Sequence, residues 1–433
     1  MRLLLKGAWL LSLIVLAAVA LAVFVDGCTG NTPATVETST TSAGATSTVL
    51  ATTTSSPTST SSPTTTAAST TTLAPTTTLA PTTTTSAPTS TTLPKLSARQ
   101  MAGQRVIYSY SGLTPPAALL SLIRKGEVAG VIFFAQNISS KEQIKGVIKT
   151  LTEAAADPGN PVQAPLLLMI DQEGGKIRHL PGEPVLSQRQ IGASADPAAQ
   201  AAKAGTAAGL NLRGVSMNVD LAPVLDVFRK AGGFDDQYGR SYSTVPSVVS
   251  KLGTDFIKAQ QATGVAATAK HFPGLGAATK VQNTDLRPVT LNLTQASLRS
   301  VDEAPYKAAI AAGVRLVMVS WAVYPALDSK LPAGFSPTVV QGELRGRLKF
   351  QGVTITDALE AAALTPFGTM QHRAVLAAKA GMDLVLVAAR DVSKGEQASQ
   401  GLQDAYTDGT LGKAAFQAAL GRIIDLRLSL QSN

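Results

Sequence analysis

Val265-Ala266-Ala267-Thr268-Ala269-Lys270-His271-Phe272-Pro273-Gly274 is a short apolar run that ends in a cation, an imidazole and a Pro-Gly turn. As a strand, it carries Lys270 and His271 to its C-terminal tip, where the chain turns sharply. The same grammar repeats on both sides. Apolar, β-prone runs fall at 104–110, 130–134, 165–170, 216–220, 265–270, 315–320, 352–356 and 383–388. Helical patterns separate them at 141–156, 197–211, 246–262, 302–312, 338–348 and 371–380, and a last one, 413–430, is expected to follow the final strand. Strand–helix alternation implies parallel strands with crossover helices, and eight such units close into a barrel. The expected fold is α/β, a single (β/α)8 TIM-type barrel over residues 96–433. No Gly-x-Gly-x-x-Gly follows the first strand, which argues against a dinucleotide-binding sheet.

In such a barrel, chemistry gathers where strands end and the following loops begin. The third strand ends at Asp171-Gln172-Glu173-Gly174-Gly175, the fifth at Lys270-His271, the sixth at Trp321 and the seventh at Asp357. Any one of these has a plain reading, since strands end in polar residues. Their convergence on one rim points to a site. The three histidines show no metal-ligand spacing, and neither a metal nor another cofactor is implied.

Four segments resemble those of glycoside hydrolase family 3, in its single-domain branch of bacterial β-N-acetylglucosaminidases. They are Asp171-Gln172-Glu173-Gly174-Gly175, Lys270-His271-Phe272-Pro273-Gly274, Ser336-Pro337 and Ile355-Thr356-Asp357-Ala358-Leu359-Glu360. The resemblance implies a retaining glycosidase with Asp357 as nucleophile. It implies sugar contacts from Asp171, Arg240, Lys270 and His271, and glycines that let backbone approach the sugar. A ligand-binding arginine of the family falls at His179 here, with Arg178 beside it as a substitute. Glu173 reads as a carboxylate that holds its loop, and Asn218 to Val227 as mainly architectural.

The family's general acid is the histidine of an Asp-Ser-His triplet on the loop after Lys-His-Phe-Pro-Gly. Counted back from Pro288, that triplet falls on Gln282-Asn283-Thr284, and none of these is an acid. Asp285 is the one carboxyl group on the loop. It either serves as the acid, with burial raising its pKa, or caps the turn before Pro288. Three activities stay open at this point: a hydrolase of β-linked N-acetylglucosamine, a sugar binder that has lost hydrolysis, and a phosphorylase with Lys280 holding phosphate.

The chain ahead of the barrel sets its compartment. Arg2 and Lys6 precede an uncharged apolar run from Trp9 to Val25, as in a secretion signal or an anchoring helix spanning 1–28. The only cysteine, Cys28, follows directly, in the position of a lipoprotein cleavage box. A lone cysteine excludes an internal disulfide. Residues 29–95 are rich in Thr, Ser, Pro and Ala, too polar to fold and suited to a tether. Membrane attachment through the N-terminus and a carbohydrate partner are therefore expected. The net charge of +9 is dispersed, without a basic run interleaved with aromatics, so nucleic acid is not an expected partner.

Overall fold

The computed structural model describes residues 95–430. Eight parallel strands close into a barrel in chain order: β1 (Val106–Tyr108), β2 (Gly130–Phe133), β3 (Leu167–Ile170), β4 (Val219–Asp220), β5 (Ala266–Phe272), β6 (Leu316–Val319), β7 (Val353–Ala358) and β8 (Leu384–Leu386). β8 closes the ring against β1, with Val106 opposite Val385. Each coincides with or overlaps an expected strand. These strands read as continuous apolar runs because both of their faces are covered. Leu167 and Met169 point into the barrel with Ile107, Val219, Leu316 and Ile355, whereas Leu168 and Ile170 meet the surrounding helices. The helices answer with their own period: Ile144, Ile148 and Leu151 from Lys141–Ala155, and Val249, Leu252 and Phe256 from Pro246–Gln261.

Three helical readings are corrected or extended. The helix expected directly after the last strand lies at Lys413–Ser429, but Val392–Thr407 takes the place after β8. The latter has a weak apolar stripe, because its inner face is built from Gly395, Ala398, Ser399, Gly401 and Leu402. Gly395 lies flat on Tyr108, where a Cβ would fall 2.2 Å from the ring. Ala117–Arg124, after β1, is a further helix the sequence reading lacked. The segment expected as a helix over 338–348 runs Thr338–Arg347 with i→i+5 bonding.

Lys413–Ser429 instead seals the lower end of the barrel. Ile423 and Leu426 join the interior, and the buried Arg427 donates to Pro165 O at 2.7 Å and Ala164 O at 2.6 Å. The readings for 1–28, Cys28 and the tether up to residue 94 fall outside the described residues. Among the described residues, no helix is long and apolar enough to cross a membrane.

Candidate active site

A pocket of about 290 Å³ opens at the C-terminal ends of the strands. Its wall includes Asp171 after β3, Arg240 after β4, Lys270 and His271 on β5, Asp285 on the loop after β5, and Asp357 on β7. Six of the eight predicted catalytic and binding residues thus share one cavity. Arg178 and His179 are not in its wall. Arg178 donates to Gly182 O at 2.9 Å, and His179 packs edge-on against Phe134, whose ring does line the pocket.

The floor is an ion-pair lattice. Lys270 Nζ donates to Asp171 Oδ1 at 2.5 Å and to Glu173 Oε1 at 2.7 Å. Arg240 holds Glu173 with two bonds of 2.9 Å, and its Nη1 donates to Asp235 Oδ1 at 3.0 Å. Burial works to raise the Glu173 carboxyl, but Arg240 and Lys270 overcome it and bring it to about 2. Glu173 is therefore a fixed anion that orients two cations, as expected of a structural carboxylate. Gly174 and Gly175 have positive φ, and a Cβ on either would strike Leu186 O at 2.3 Å or Ser187 Cβ at 2.5 Å. The close approach they allow here is to the protein's own loop.

His271 is held in one tautomer. Burial, then Arg240, lower its pKa to about 4, so the imidazole is neutral near pH 7. Asp226, raised by burial to about 6, is mostly ionised there and can only accept, so His271 Nδ1–H donates to it at 2.7 Å. Nε2 then accepts from Arg240 Nη2 at 3.3 Å. The single donor credited to His271 for a sugar is already engaged. Asp226 also accepts Leu275 N–H at 2.6 Å, which fixes the start of the loop bearing Asp285. Asp226, Asp235 and His271 place donor atoms within 4.8 Å of one another, as a metal set would. Arg240 already supplies positive charge between Asp235 and His271, so the group works as a charge network.

Asp357 lies on β7, and the segment after that strand is bonded to the loop that carries Asp285. Ala362 N–H donates to Asp285 O and Ala363 N–H to Thr284 O, both at 3.0 Å. Asp357 Oδ1 accepts Ala358 N–H at 2.7 Å, and Ala358 O receives Trp321 Nε1–H at 2.9 Å. Burial raises the Asp357 carboxyl, and Asp285 adds to the rise against the pull of His271 and Lys270. Asp285 is exposed as a residue, but desolvation of its carboxyl at the pocket raises it, with Asp171 and Asp235 adding to the rise against Arg240. Asn283, not Asp285, secures the turn before Pro288: its Oδ1 accepts Asp285 N–H at 2.8 Å, and its carbonyl accepts from Leu286 and Arg287. The Asp285 carboxyl is left to the pocket.

Several pocket residues went unassigned from sequence. Glu360, raised by burial to about 7, lines the wall and accepts Ala388 N–H at 3.1 Å. Arg390, with φ of 59°, lies 4.8 Å over the Phe134 ring. The same rim rule, applied to the end of β8, would have found Arg390. Glu360 stood within the quoted seventh-strand motif. Asp226 and Asp235 gave no local signal, because their role depends on where His271 and Arg240 arrive.

A family model described as the glycosyl hydrolase family 3 N terminal domain matches residues 99–426. An uncharacterized secreted glycosyl hydrolase of Arthroderma benhamiae is 44% identical over 333 residues, which is 76% of this chain and 93% of that protein. A beta-hexosaminidase of Stenotrophomonas maltophilia strain R551-3 is 34% identical over 67% of this chain and 85% of its own length. Among solved structures, the chain resembles a glycoside hydrolase family 3 beta-N-acetylglucosaminidase from Paenibacillus sp. str. FPU-7, with a TM-score of 0.72 and 34% identity. That similarity covers 78% of this chain and 63% of the Paenibacillus one, so the chain spans less than two thirds of that protein. With the barrel, the rim motifs and the family match all falling on the same residues, the chain belongs to glycoside hydrolase family 3 and is a glycosidase.

Proposed function

We propose that the protein removes terminal β-linked N-acetylglucosamine from cell-wall fragments by a retaining mechanism. The sugar identity rests on the beta-hexosaminidase and beta-N-acetylglucosaminidase relatives. The observation that carries the mechanism is that Asp357 and Asp285 line one pocket and both carboxyls are raised, Asp285 adding to the rise at Asp357. Asp357, ionised, attacks the anomeric carbon while the bond to the leaving oxygen breaks and Asp285 gives that oxygen its proton. Asp285, now ionised, takes a proton from water, which attacks the glycosyl–Asp357 ester and frees the sugar. Asp171, steadied by Lys270, accepts hydrogen bonds from sugar hydroxyls. Arg240 and His271 complete the wall and keep the charges around Asp226 and Asp235 in place.

The protein works outside the cytoplasmic membrane, held by lipid on Cys28 at the end of the Thr/Ser/Pro tether over 29–95. The apolar run before Cys28 and the secreted relative support this placement. Turnover of an aryl β-N-acetylglucosaminide, with and without phosphate, tests the reaction. Turnover in water supports the hydrolase; turnover only with phosphate makes it a phosphorylase, and binding without turnover makes it a sugar binder. Mass analysis of the membrane fraction should find lipid on Cys28, and an intact N-terminus without lipid would refute the anchor.

A further inference from the structure

The wall of the sugar pocket holds three cationic side chains, Lys270, Arg240 and Arg390. The first two are already engaged. Lys270 is 1% exposed and bonds Asp171 and Glu173, and Arg240 bonds Glu173 and Asp235. Arg390 is different. It is exposed, and among the described residues its guanidinium takes part in no ion pair and donates no hydrogen bond. Its charge is not among the leading ones acting on Asp285, Asp357 or Glu360, so the carboxyls of the pocket do not engage it. Asp391, next in the chain, is turned to cap Val392–Thr407 and accepts Ser393 N–H at 2.9 Å.

The free head sits on a fixed base. Arg390 has a φ of 59°, in the left-handed region that a residue with a Cβ rarely adopts. Its N–H donates to Ser109 Oγ at 2.7 Å, and the buried Ser109 donates in turn to Val387 O at 2.8 Å. The start of the loop after β8 is thereby tied to the residue that follows β1. From there the guanidinium carbon lies 4.8 Å over the Phe134 ring. Stacking occupies the flat face of a guanidinium and leaves the N–H groups on its edge to other partners. His179 packs on the edge of the same ring, while Arg178 is turned to Gly182 O. The cation that the sequence placed at Arg178 is thus delivered to the Phe134 wall from β8 instead. A strained backbone, a stacked head and an unused row of donors, all at the mouth of a glycosidase pocket, point to a planar anion brought by the substrate.

We propose that Arg390 selects the leaving part of the substrate by paired hydrogen bonds to a carboxylate on the aglycone. This inference rests on the reading of the protein as an enzyme that removes a terminal sugar. The departing sugar fills the pocket over the buried Lys270 and His271, and the aglycone is the part that passes the exposed rim where Arg390 stands. A carboxylate matches the parallel donors of a guanidinium edge, and a neutral sugar hydroxyl does not. The substrate class is therefore a β-N-acetylglucosaminide of an acidic sugar.

The test compares kcat/KM on an acidic substrate and its neutral twin, using the full chain in detergent. The pair is the β-linked disaccharide of N-acetylglucosamine on N-acetylmuramic acid and the methyl ester of that disaccharide, with an aryl β-N-acetylglucosaminide as reference. The parent should favour the acid over the ester about tenfold, through KM rather than kcat, and added salt should shrink the preference. Arg390→Asn removes the charge and keeps a residue that tolerates the left-handed backbone, so it should fold. Its preference for the acid should disappear. Arg390→Lys keeps the charge without the fork and should show a preference between the two. Equal kcat/KM on acid and ester in the parent, or an undiminished preference in Arg390→Asn, would overturn the inference and leave the glycosidase reading standing. So would turnover of the aryl reference with neither disaccharide accepted. Failure on all three substrates would overturn that reading, and this inference with it.

Discussion

The two ends of the barrel both bury charge, but with opposite surplus. At the mouth, Asp171, Glu173, Asp226, Asp235, Asp285, Asp357 and Glu360 gather around Lys270, Arg240 and Arg390. At the base, Arg105, Arg345 and Arg422 gather around Asp383 alone. Surplus carboxylates can be discharged by protons, so several at the mouth titrate near neutrality: Asp226 at about 6, Asp235 and Glu360 at about 7, each with burial as the leading cause. Surplus arginines keep their protons through the neutral range. The mouth therefore gathers groups that can exchange protons near neutrality, and the base gathers charge that stays fixed. The sign of the imbalance, not the depth of burial, separates the two ends.

The largest expected effect lies at the mouth. Asp357→Ala should cut turnover about 10⁴-fold or more, as the loss of an attacking carboxylate does, with the thermal unfolding midpoint little changed. A fluoro-sugar that traps the glycosyl-enzyme should label Asp357 in the parent. Labelling of Asp285 or Glu360 would reassign the nucleophile.

Next comes the proton. Asp285→Asn should slow glycosides with poor leaving groups about 10²–10⁴-fold and activated aryl glycosides far less. Azide should partly restore the aryl reaction. The pH profile sharpens this. Asp357 must be ionised, so kcat/KM rises as pH climbs through its pKa. Asp285 must be protonated, so kcat/KM falls as pH passes a value raised above the ordinary carboxylate range. Asp285→Asn should remove the alkaline limb and leave the acid one. Loss of both limbs, or equal small losses on all substrates, would show that Asp285 only shapes its loop.

Stability should then compare the two ends directly. Glu173→Ala strands Arg240 and Lys270, and Asp383→Ala strands Arg345 and Arg422; each should cost about 3–5 kcal/mol in denaturant unfolding. The Glu173 term should depend on pH. Its carboxyl is lowered from the ordinary 4.5 to about 2, so its contribution is complete above 4.5 and disappears as pH falls toward 2. A parent and Glu173→Ala pair that lose stability in parallel over that range would contradict the assignment. The smallest effect is at the base, where Lys413–Ser429 starts from Gly412 without a side-chain cap. Gly412→Ser should stabilise the protein by about a few tenths of a kcal/mol by supplying it.

The barrel was legible because its signal is local. Val265 to Ala269 and its seven counterparts are apolar on both faces, and that pattern survives without knowledge of what packs against it. Val392–Thr407 was not legible, because its buried face is small rather than apolar. Gly395 is there to fit Tyr108, a residue 287 positions earlier in the chain (395 − 108). The rim residues at strand tips were likewise legible for Asp171, Lys270 and Asp357. His271 was found, but its donor was credited to the wrong partner, since Asp226 comes from a segment read as architectural.

The sequence by itself determined the class of fold and the rim on which the strand tips gather, because strand period and strand-end polarity are properties of contiguous residues; the candidate nucleophile and acid came from the resemblance of short motifs to those of the family. Tertiary structure decided everything that depends on charge at a distance. It set the neutral tautomer of His271, the fixed anion at Glu173, the raised carboxyls of Asp285 and Asp357, and the excess of arginine around Asp383. Each is a sum over groups delivered by different loops, and burial decides how strongly they interact; neither the partners nor the dielectric around them is written in any one stretch of chain.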